Sequence, residues 1–172
     1  LCSACAQFEP EFTSFLESYK VNGDPVTDYV EVYYHVFPLP YHHNAFFISR
    51  LAPFISQNEV DQFSVFDLIR WGLSVQDRYL SSGAKGLTEP QVIGKMCEDF
   101  VNEAAKGIYT EDQCRDAMKD RSLEMATRAS WKYGCYNGVN GTPTVMLNGV
   151  PADPPFDKAE WPAFLKPYLP EH

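Results

Sequence analysis

The sequence lacks a basic surplus, a long apolar run and an internal repeat, and these absences narrow the classes of protein to consider. Lys and Arg number 14 against 23 Asp and Glu, so the net charge is −9 and the isoelectric point is near 4.8. Nucleic-acid binding needs a basic stripe and anionic membrane surfaces attract basic clusters, so this charge balance argues against both partners. No run of about 18 apolar residues occurs, which predicts that no helix crosses a membrane.

The chain does contain enough apolar sequence to build a sizeable core. Hydrophobic residues make up 45% of the 172 positions and aromatic residues 15%, and the simplest organisation is one domain with room for an insertion. The chain has 5 cysteines, at Cys2, Cys5, Cys97, Cys114 and Cys135. An odd number excludes a fully paired intramolecular framework. We therefore interpret the cysteines first as chemistry and second as structural crosslinks.

Hydrophobic periodicity predicts the order helix, strand, helical block, hairpin, helix. Residues 3–20 have the spacing of an amphipathic helix, and the nearly continuous apolar segment 30–37 is typical of a strand buried on both faces. The helical block is predicted to contain helices at 45–55, 60–80, 88–105 and 110–133, with capping boxes that begin at Thr88 and Thr110 and a closing glycine at Gly134. The predicted hairpin has strands at 144–147 and 150–152 around Asn148-Gly149, and a last helix begins at Asp157.

Three functions are compatible with the stretch Cys2-Ser3-Ala4-Cys5 at the start of the first predicted helix. A zinc site needs two more ligands, usually a second pair at similar spacing, whereas His42 and His43 are adjacent and the other cysteines are scattered. We interpret His42 instead as a brace for its turn and His43 as solvated. A purely structural disulfide would close a very small loop and remove little entropy from the unfolded chain. The pattern therefore favours a redox pair.

The position of the pair supports redox chemistry. A thiolate is the reactive form of cysteine, and an ordinary thiol with a pKa of about 8.5 is mostly protonated at neutral pH. At a helix start, Cys2 would lie near unpaired backbone N–H groups and the positive end of the helix dipole, which lower a thiol pKa. Cys5, one turn further on, would share its helix face. We therefore expect Cys2 to be the nucleophile and Cys5 to resolve a mixed disulfide.

Four stretches, in order along nearly the whole chain, resemble the DsbA-like thiol:disulfide oxidoreductases of the thioredoxin-fold superfamily. They are Cys2-Ser3-Ala4-Cys5, Pro10, the run Val36-Phe37-Pro38-Leu39-Pro40-Tyr41-His42-His43-Asn44-Ala45, and Val139-Asn140-Gly141-Thr142-Pro143-Thr144. The first is similar to the redox motif of the family and the last to the loop in which the family places a cis-proline. Together they are much more specific than any one of them alone.

The resemblance implies an α/β fold, a thioredoxin fold with an α-helical insertion. Residues 1–43 and 134–172 would form the thioredoxin-fold domain, and residues 44–133 would be the inserted helical domain. In this family a strand runs directly into the redox motif, so we expect a first strand upstream of Leu1. The resemblance also implies a cis bond before Pro143, with Gly141, Thr142 and Pro143 positioning the backbone of a client polypeptide.

The residues between the two cysteines depart from the family pattern. Strongly oxidising relatives have Pro-His there, whereas this chain has Ser3 and Ala4, and neither can place a cation beside Cys2. We therefore expect a less depressed thiol pKa and a less oxidising couple. Whether the flux is oxidation, reduction or isomerisation stays open, as does any pairing among Cys97, Cys114 and Cys135.

The predicted function is thiol–disulfide exchange with protein cysteines through a mixed disulfide. No cofactor and no metal are expected. The predicted partners are cysteine-containing polypeptides and a separate redox protein, in an oxidising compartment such as periplasm, secretory lumen or extracellular space. The alternative is a non-catalytic chaperone or adaptor with a thioredoxin fold, whose cysteines would form a stable bridge.

Overall fold

The computed structural model describes residues 1–58 and 60–170. Helices dominate the described chain. They are α1 (Ser3–Ser18), α2 (Ala45–Gln57), α3 (Val65–Ser74), α4 (Glu89–Asp99), α5 (Glu111–Ala117), α6 (Arg121–Tyr136) and α7 (Trp161–Leu165). The strands are short: β1 (Lys20–Val21), β2 (Asp24–Pro25), β3 (Val145–Leu147) and β4 (Val150–Ala152). The result is a mixed α/β chain in which strands occupy little of the length.

Both sheets of the described chain are antiparallel pairs of strands. In one, Lys20 of β1 lies opposite Pro25 of β2. In the other, Val145 of β3 lies opposite Ala152 of β4. Asn148 and Gly149 join β3 to β4 with φ angles of 51° and 82°, the conformation of a two-residue hairpin turn. The predicted hairpin is therefore confirmed.

The helix-start signals of the sequence are confirmed at two positions. At the start of α4 and of α5, the side chains of Thr88 and Thr110 form capping boxes with Gln91 and Gln113. A π-helical turn, Phe100–Ala104, continues α4 almost to the predicted end. Helix α1 contains Pro10, as the family resemblance implied.

Two predicted helices are wrong in their bounds. The helix predicted at 60–80 begins only at Val65, because Ser64 and Asp67 form a capping box, and it ends at Ser74 before a 3₁₀ turn at Gln76–Arg78. The helix predicted at 110–133 is two helices. Asp120 caps the second by accepting a hydrogen bond from the Ser122 N–H, so α5 and α6 are separate. Helix α6 then continues past Gly134 to Tyr136.

The predicted strand at 30–37 is not a strand in the described chain, since it pairs with none of β1 to β4. It is not buried on both faces either, because Glu31, Tyr33 and His35 are exposed, Tyr33 by 71%. Two physical reasons explain the error. Tyrosine counts as apolar in the pattern but tolerates water at its hydroxyl end, and a strand needs a hydrogen-bonded neighbour.

His42 and His43 follow this extended segment and behave as predicted. The backbone of His42 braces the turn: its N–H donates to the Leu39 carbonyl at 3.1 Å and its carbonyl accepts from the Ala45 N–H at 2.8 Å. Burial lowers the pKa of His42, while His43 is exposed.

Within residues 1–58 and 60–170, no group of three or more His, Cys, Asp or Glu side chains is placed to hold a metal ion.

Contacts divide the chain into two compact units. The first, called the helical unit, contains Leu1–Cys2 and His35–Asn140, and the second, called the hairpin unit, contains Ser3–Tyr34 and residues 141–170. The predicted domain bounds at 43/44 and 133/134 stay a prediction. No helix of the described residues is long and apolar enough to cross a bilayer.

The helical unit has a core to which each of α2 to α5 contributes buried residues. Four of its residues are 0% exposed: Leu51, Ile55, Met96 and Phe100. Gly72 in α3 faces Ile48 so closely that an added Cβ would lie 3.2 Å from its methyl group. The glycine therefore allows the helices to approach instead of breaking α3.

A disulfide joins α4 to α5 in this core. Cys97 and Cys114 are bonded, with Cα atoms 5.6 Å apart, and both residues are 0% exposed. The sequence left the pairing open, and the structure selects these two. Cys135 takes no part in a disulfide and is exposed on α6.

The hairpin unit has a smaller, aromatic core. The ring of Trp161 lies 5.8 Å from that of Phe8 and 5.6 Å from that of Phe15, measured between centroids. Lys158, next to α7, donates its backbone N–H to Glu11 at 3.2 Å and its ammonium to Ser14 at 3.0 Å. These contacts hold the segment of Lys158 and Trp161 against the middle and the second half of α1.

Removing the disulfide should destabilise the protein. The crosslink closes a loop with a sequence separation of 17 residues, for which the loss of unfolded-state entropy predicts about 3 kcal/mol. The double variant Cys97→Ala/Cys114→Ala should therefore lower the free energy of unfolding by about that amount, measured by urea denaturation. Cys135→Ala is the matched control and should change it by less than about 0.5 kcal/mol. Equal stability of parent and double variant would contradict a structural role for the bridge.

Candidate functional site

The predicted redox cysteines lie at the beginning of α1. Cys2 directly precedes the helix, and Cys5 is its third residue. The first backbone N–H groups of a helix have no partner within it, and they carry the positive end of the dipole. A thiolate at Cys2 is adjacent in sequence to these groups, which favour its charged form.

The two cysteines differ in exposure. Cys2 is buried, with 8% of its surface exposed, whereas Cys5 is half-buried. The helix start therefore favours Cys2 as the thiolate, while exposure favours Cys5 as the residue that a client meets first. The predicted roles of nucleophile and resolving cysteine stay predictions.

The residues between the cysteines are both accessible. Ser3 is exposed and Ala4 is half-buried, and they form the first two positions of α1. Neither carries a charge that would stabilise a thiolate. Within the Cys-x-x-Cys motif, a thiolate would therefore be stabilised by the backbone N–H groups at the start of α1 and not by a charged side chain.

Sequence reasoning missed a long-range contact of Cys2 within the helical unit. The backbone N–H of Cys2 donates a hydrogen bond to the side-chain amide oxygen Oε1 of Gln76, with an N···O distance of 2.6 Å. Gln76 is itself buried, with 6% exposed. The two residues are separated by 74 positions, and no motif in the sequence marks the glutamine.

The turn that carries Gln76 is fixed by neighbouring hydrogen bonds. The carbonyl of Gln76 accepts from the backbone N–H groups of Tyr79 at 2.9 Å and Leu80 at 3.0 Å. The Asn44 amide donates to the Tyr79 carbonyl at 2.9 Å, and the Tyr79 hydroxyl donates to Asp99 at 2.6 Å. The glutamine therefore extends from a backbone held on several sides.

Asp99 is the charged end of this network. Lys95 and Arg78 approach the same carboxylate oxygen as Tyr79, at 3.1 Å and 3.3 Å. Burial alone would raise the pKa of Asp99, but the hydrogen bonds from Tyr79, Lys95 and Arg78 outweigh burial and lower it. Burial and the neighbouring carboxylate raise the pKa of Tyr79, which therefore keeps its proton and donates.

Gly141, Thr142 and Pro143 form the loop that leads into β3, in the hairpin unit. The peptide bond between Thr142 and Pro143 is cis. The hydroxyl of Thr144 donates to the Gly141 carbonyl at 2.8 Å, which closes the loop on itself. All three predicted residues are half-buried. Their predicted part in binding a client stays a prediction.

These features define an α/β protein with a Cys-x-x-Cys pair at the start of a helix. The chain belongs to the thioredoxin family, because residues 1–167 match the family described as Thioredoxin. Neither a search of curated proteins nor a search of solved structures found a match. The predicted thioredoxin-fold superfamily is therefore confirmed, while the DsbA-like subfamily and the inserted helical domain stay predictions.

The network behind Gln76 gives a prediction for stability and pH. Tyr79→Phe removes a hydrogen bond to a carboxylate and should lower the free energy of unfolding at pH 7 by about 1.5–3 kcal/mol. Asp99 has a lowered pKa in the folded protein, so the stabilisation is present above its unfolded pKa of about 3.9 and lost as pH falls through the folded pKa. The difference between variant and parent should therefore shrink in acid.

Tyr109→Phe is the matched control for this measurement. The Tyr109 hydroxyl donates to the neutral backbone carbonyl of Asn58 at 2.8 Å. Its removal should cost about 1 kcal/mol, with no dependence on acid titration of the acceptor. Urea denaturation of both variants and the parent between about pH 1.5 and pH 7 separates the two cases, because the folded pKa of Asp99 lies below its ordinary value. A constant difference for Tyr79→Phe over that range would show that Asp99 is not the charged acceptor.

Proposed function

We propose that the chain is a thiol–disulfide oxidoreductase of DsbA-like type that acts on protein cysteines. The observation that carries the proposal is the position of Cys2 and Cys5 at the beginning of α1 in a chain of the thioredoxin family. A helix start favours the thiolate form of a cysteine, and a second cysteine three residues on supplies the sulfur that completes a two-step exchange.

The exchange balances without a cofactor. The Cys2 thiolate attacks one sulfur of a client disulfide, forming a mixed disulfide and releasing the other client sulfur as a thiolate. The Cys5 thiolate then attacks the Cys2 sulfur, forming the Cys2–Cys5 disulfide and releasing the first client sulfur. Two electrons have moved to the client, and a reducing partner protein must return the pair to thiols. The reverse sequence oxidises a client dithiol and needs an oxidising partner.

Gly141, Thr142 and Pro143 are proposed to bind the backbone of the client. The loop is half-buried and precedes the β3 strand, so it has extended backbone next to it that a client strand can follow. Ser3 and Ala4 set a redox couple without a cation in the motif. We therefore place the potential of the pair below the value of about −120 mV typical of the strongest oxidants of this chemistry.

The buried Cys97–Cys114 bond supports an oxidising compartment as the place of action. Structural disulfides persist in periplasm, secretory lumen and extracellular space, and they are rare in reducing cytosol. In such a compartment the partners would be secreted polypeptides with cysteines and a separate redox protein. The net charge of −9 leaves nucleic acid as an unfavourable partner.

One observation favours a second function, that of a non-catalytic chaperone or adaptor. Cys2 is only 8% exposed, and a buried sulfur that no client reaches would form a stable bridge instead of a catalytic one. The two functions differ in whether a client sulfur becomes covalently bound to the chain.

Trapping the mixed disulfide tests the proposed function. Cys5→Ser cannot resolve the intermediate, so it should accumulate a covalent complex with a disulfide-bonded client such as insulin, detected by non-reducing electrophoresis and mass spectrometry. Cys2→Ser should give no complex and no insulin reduction above background. Cys135→Ser, the matched control at an exposed cysteine, should reduce insulin like the parent.

The trapping experiment has three informative outcomes. A complex with Cys5→Ser alone supports the proposed roles. A complex with Cys2→Ser alone would keep the function and assign the nucleophile to Cys5. If neither variant is trapped and the parent does not reduce insulin, the catalytic proposal fails and the adaptor remains.

A further inference from the structure

The hydrogen bond from the Cys2 backbone N–H to Gln76 is a feature that the exchange chemistry described above does not use. It is short, at 2.6 Å, and it joins residues 74 positions apart. Both residues are buried, at 8% and 6% exposure. A buried N–H without an acceptor costs about 1–3 kcal/mol, so the position of the Cys2 backbone is tied to the position of this amide.

Leu1 and the turn that carries Gln76 have further contacts within the helical unit, to which Leu1 and Cys2 belong. The side chain of Leu1 packs against the core formed by α2 to α5. Gln76 lies in the 3₁₀ turn after α3, and that turn is held by the Tyr79–Asp99 bond at 2.6 Å. The packing of Leu1 and the hydrogen bond to Gln76 thus both attach the backbone at the Cys2 amide to this core.

We propose that Gln76 is a positioning residue for the redox pair: it orients the Cys2 backbone so that the reduced sulfur stays at the start of α1. The inference rests on the proposed function and deepens it, because it assigns a residue of the helical unit to the tuning of the couple. Gln76 accepts a hydrogen bond from the Cys2 main chain and touches no client, so it acts through Cys2.

The reduced and oxidised states depend on this contact to different extents. In the disulfide, the Cys2 sulfur is bonded to Cys5, which lies within α1, so its position is set covalently. In the dithiol, the sulfur stays near the helix N–H groups only if the backbone of Cys2 is oriented towards them. Loss of the Gln76 acceptor therefore destabilises the reduced form more than the oxidised form and shifts the equilibrium towards the disulfide.

The redox equilibrium with glutathione at fixed pH 7 measures this shift. In that reaction the dithiol and one oxidised glutathione give the Cys2–Cys5 disulfide and two reduced glutathiones, so atoms and electrons balance. Gln76→Met keeps the length of the side chain and removes the amide oxygen. We expect it to shift the equilibrium constant towards the disulfide by at least about threefold.

A second variant keeps the test decisive if Gln76→Met folds poorly. Gln76→Leu also removes the acceptor oxygen but has a different apolar shape, and we expect a shift in the same direction of at least about threefold. Gln57→Met is the matched control, since Gln57 is an exposed residue at the end of α2 and should leave the equilibrium unchanged.

Urea denaturation of the same variants separates positioning from a merely structural role. A structural role alone would lower the free energy of unfolding and leave the glutathione equilibrium within about twofold of the parent, and that result would overturn the inference. The equilibrium does not require a client, and dithiothreitol replaces glutathione if the bridge is very stable. A chain that fails to trap or reduce insulin but shows the Gln76 shift would therefore refute the proposed function and retain the positioning role.

Discussion

The first turn of an α-helix has backbone N–H groups that the helix itself cannot satisfy, and the redox chemistry proposed for this protein depends on that constraint. Cys2 is the residue before α1, so the unpaired N–H groups of the first turn are adjacent in sequence to a sulfur that can carry a negative charge. The same constraint applies to the N–H of Cys2, which lies outside the helix. A buried amide oxygen of Gln76 satisfies it. The proposed reactive position and its hydrogen bond to Gln76 thus follow from the same requirement, that backbone N–H groups find acceptors.

The helical unit supplies the anchor because its core is well packed and crosslinked. The Cys97–Cys114 bond joins α4 to α5, and Asp99 at the end of α4 receives the hydroxyl of Tyr79 from the turn after α3. Gln76 lies in that turn, so the hydrogen-bonded backbone of the helical unit defines where its amide oxygen lies. The proposed tuning of the cysteines would therefore act from outside the redox motif, through this hydrogen bond.

Local signals predicted much of the helical structure. Thr88 and Thr110 are correctly predicted capping boxes, because a cap is satisfied within three residues of its own position. The division between α5 and α6 was missed although Asp120 signals it, since the apolar period continues through the break. The segment 30–37 was predicted as a buried strand because its composition is apolar. Whether such a segment becomes a strand depends on a neighbour that composition does not contain.

In the candidate site too, some features depend on neighbouring residues and others on residues far apart in the sequence. The candidate cysteines Cys2 and Cys5, the capped helix starts at Thr88 and Thr110, and the family resemblance depend on short stretches of sequence, so the sequence by itself determined them. The pairing of Cys97 with Cys114, the burial of Cys2 and its hydrogen bond to Gln76 join positions that are far apart along the chain. Only the tertiary structure decided these, because a contact between distant residues depends on how whole helices pack, and helix packing has no signature at either residue alone.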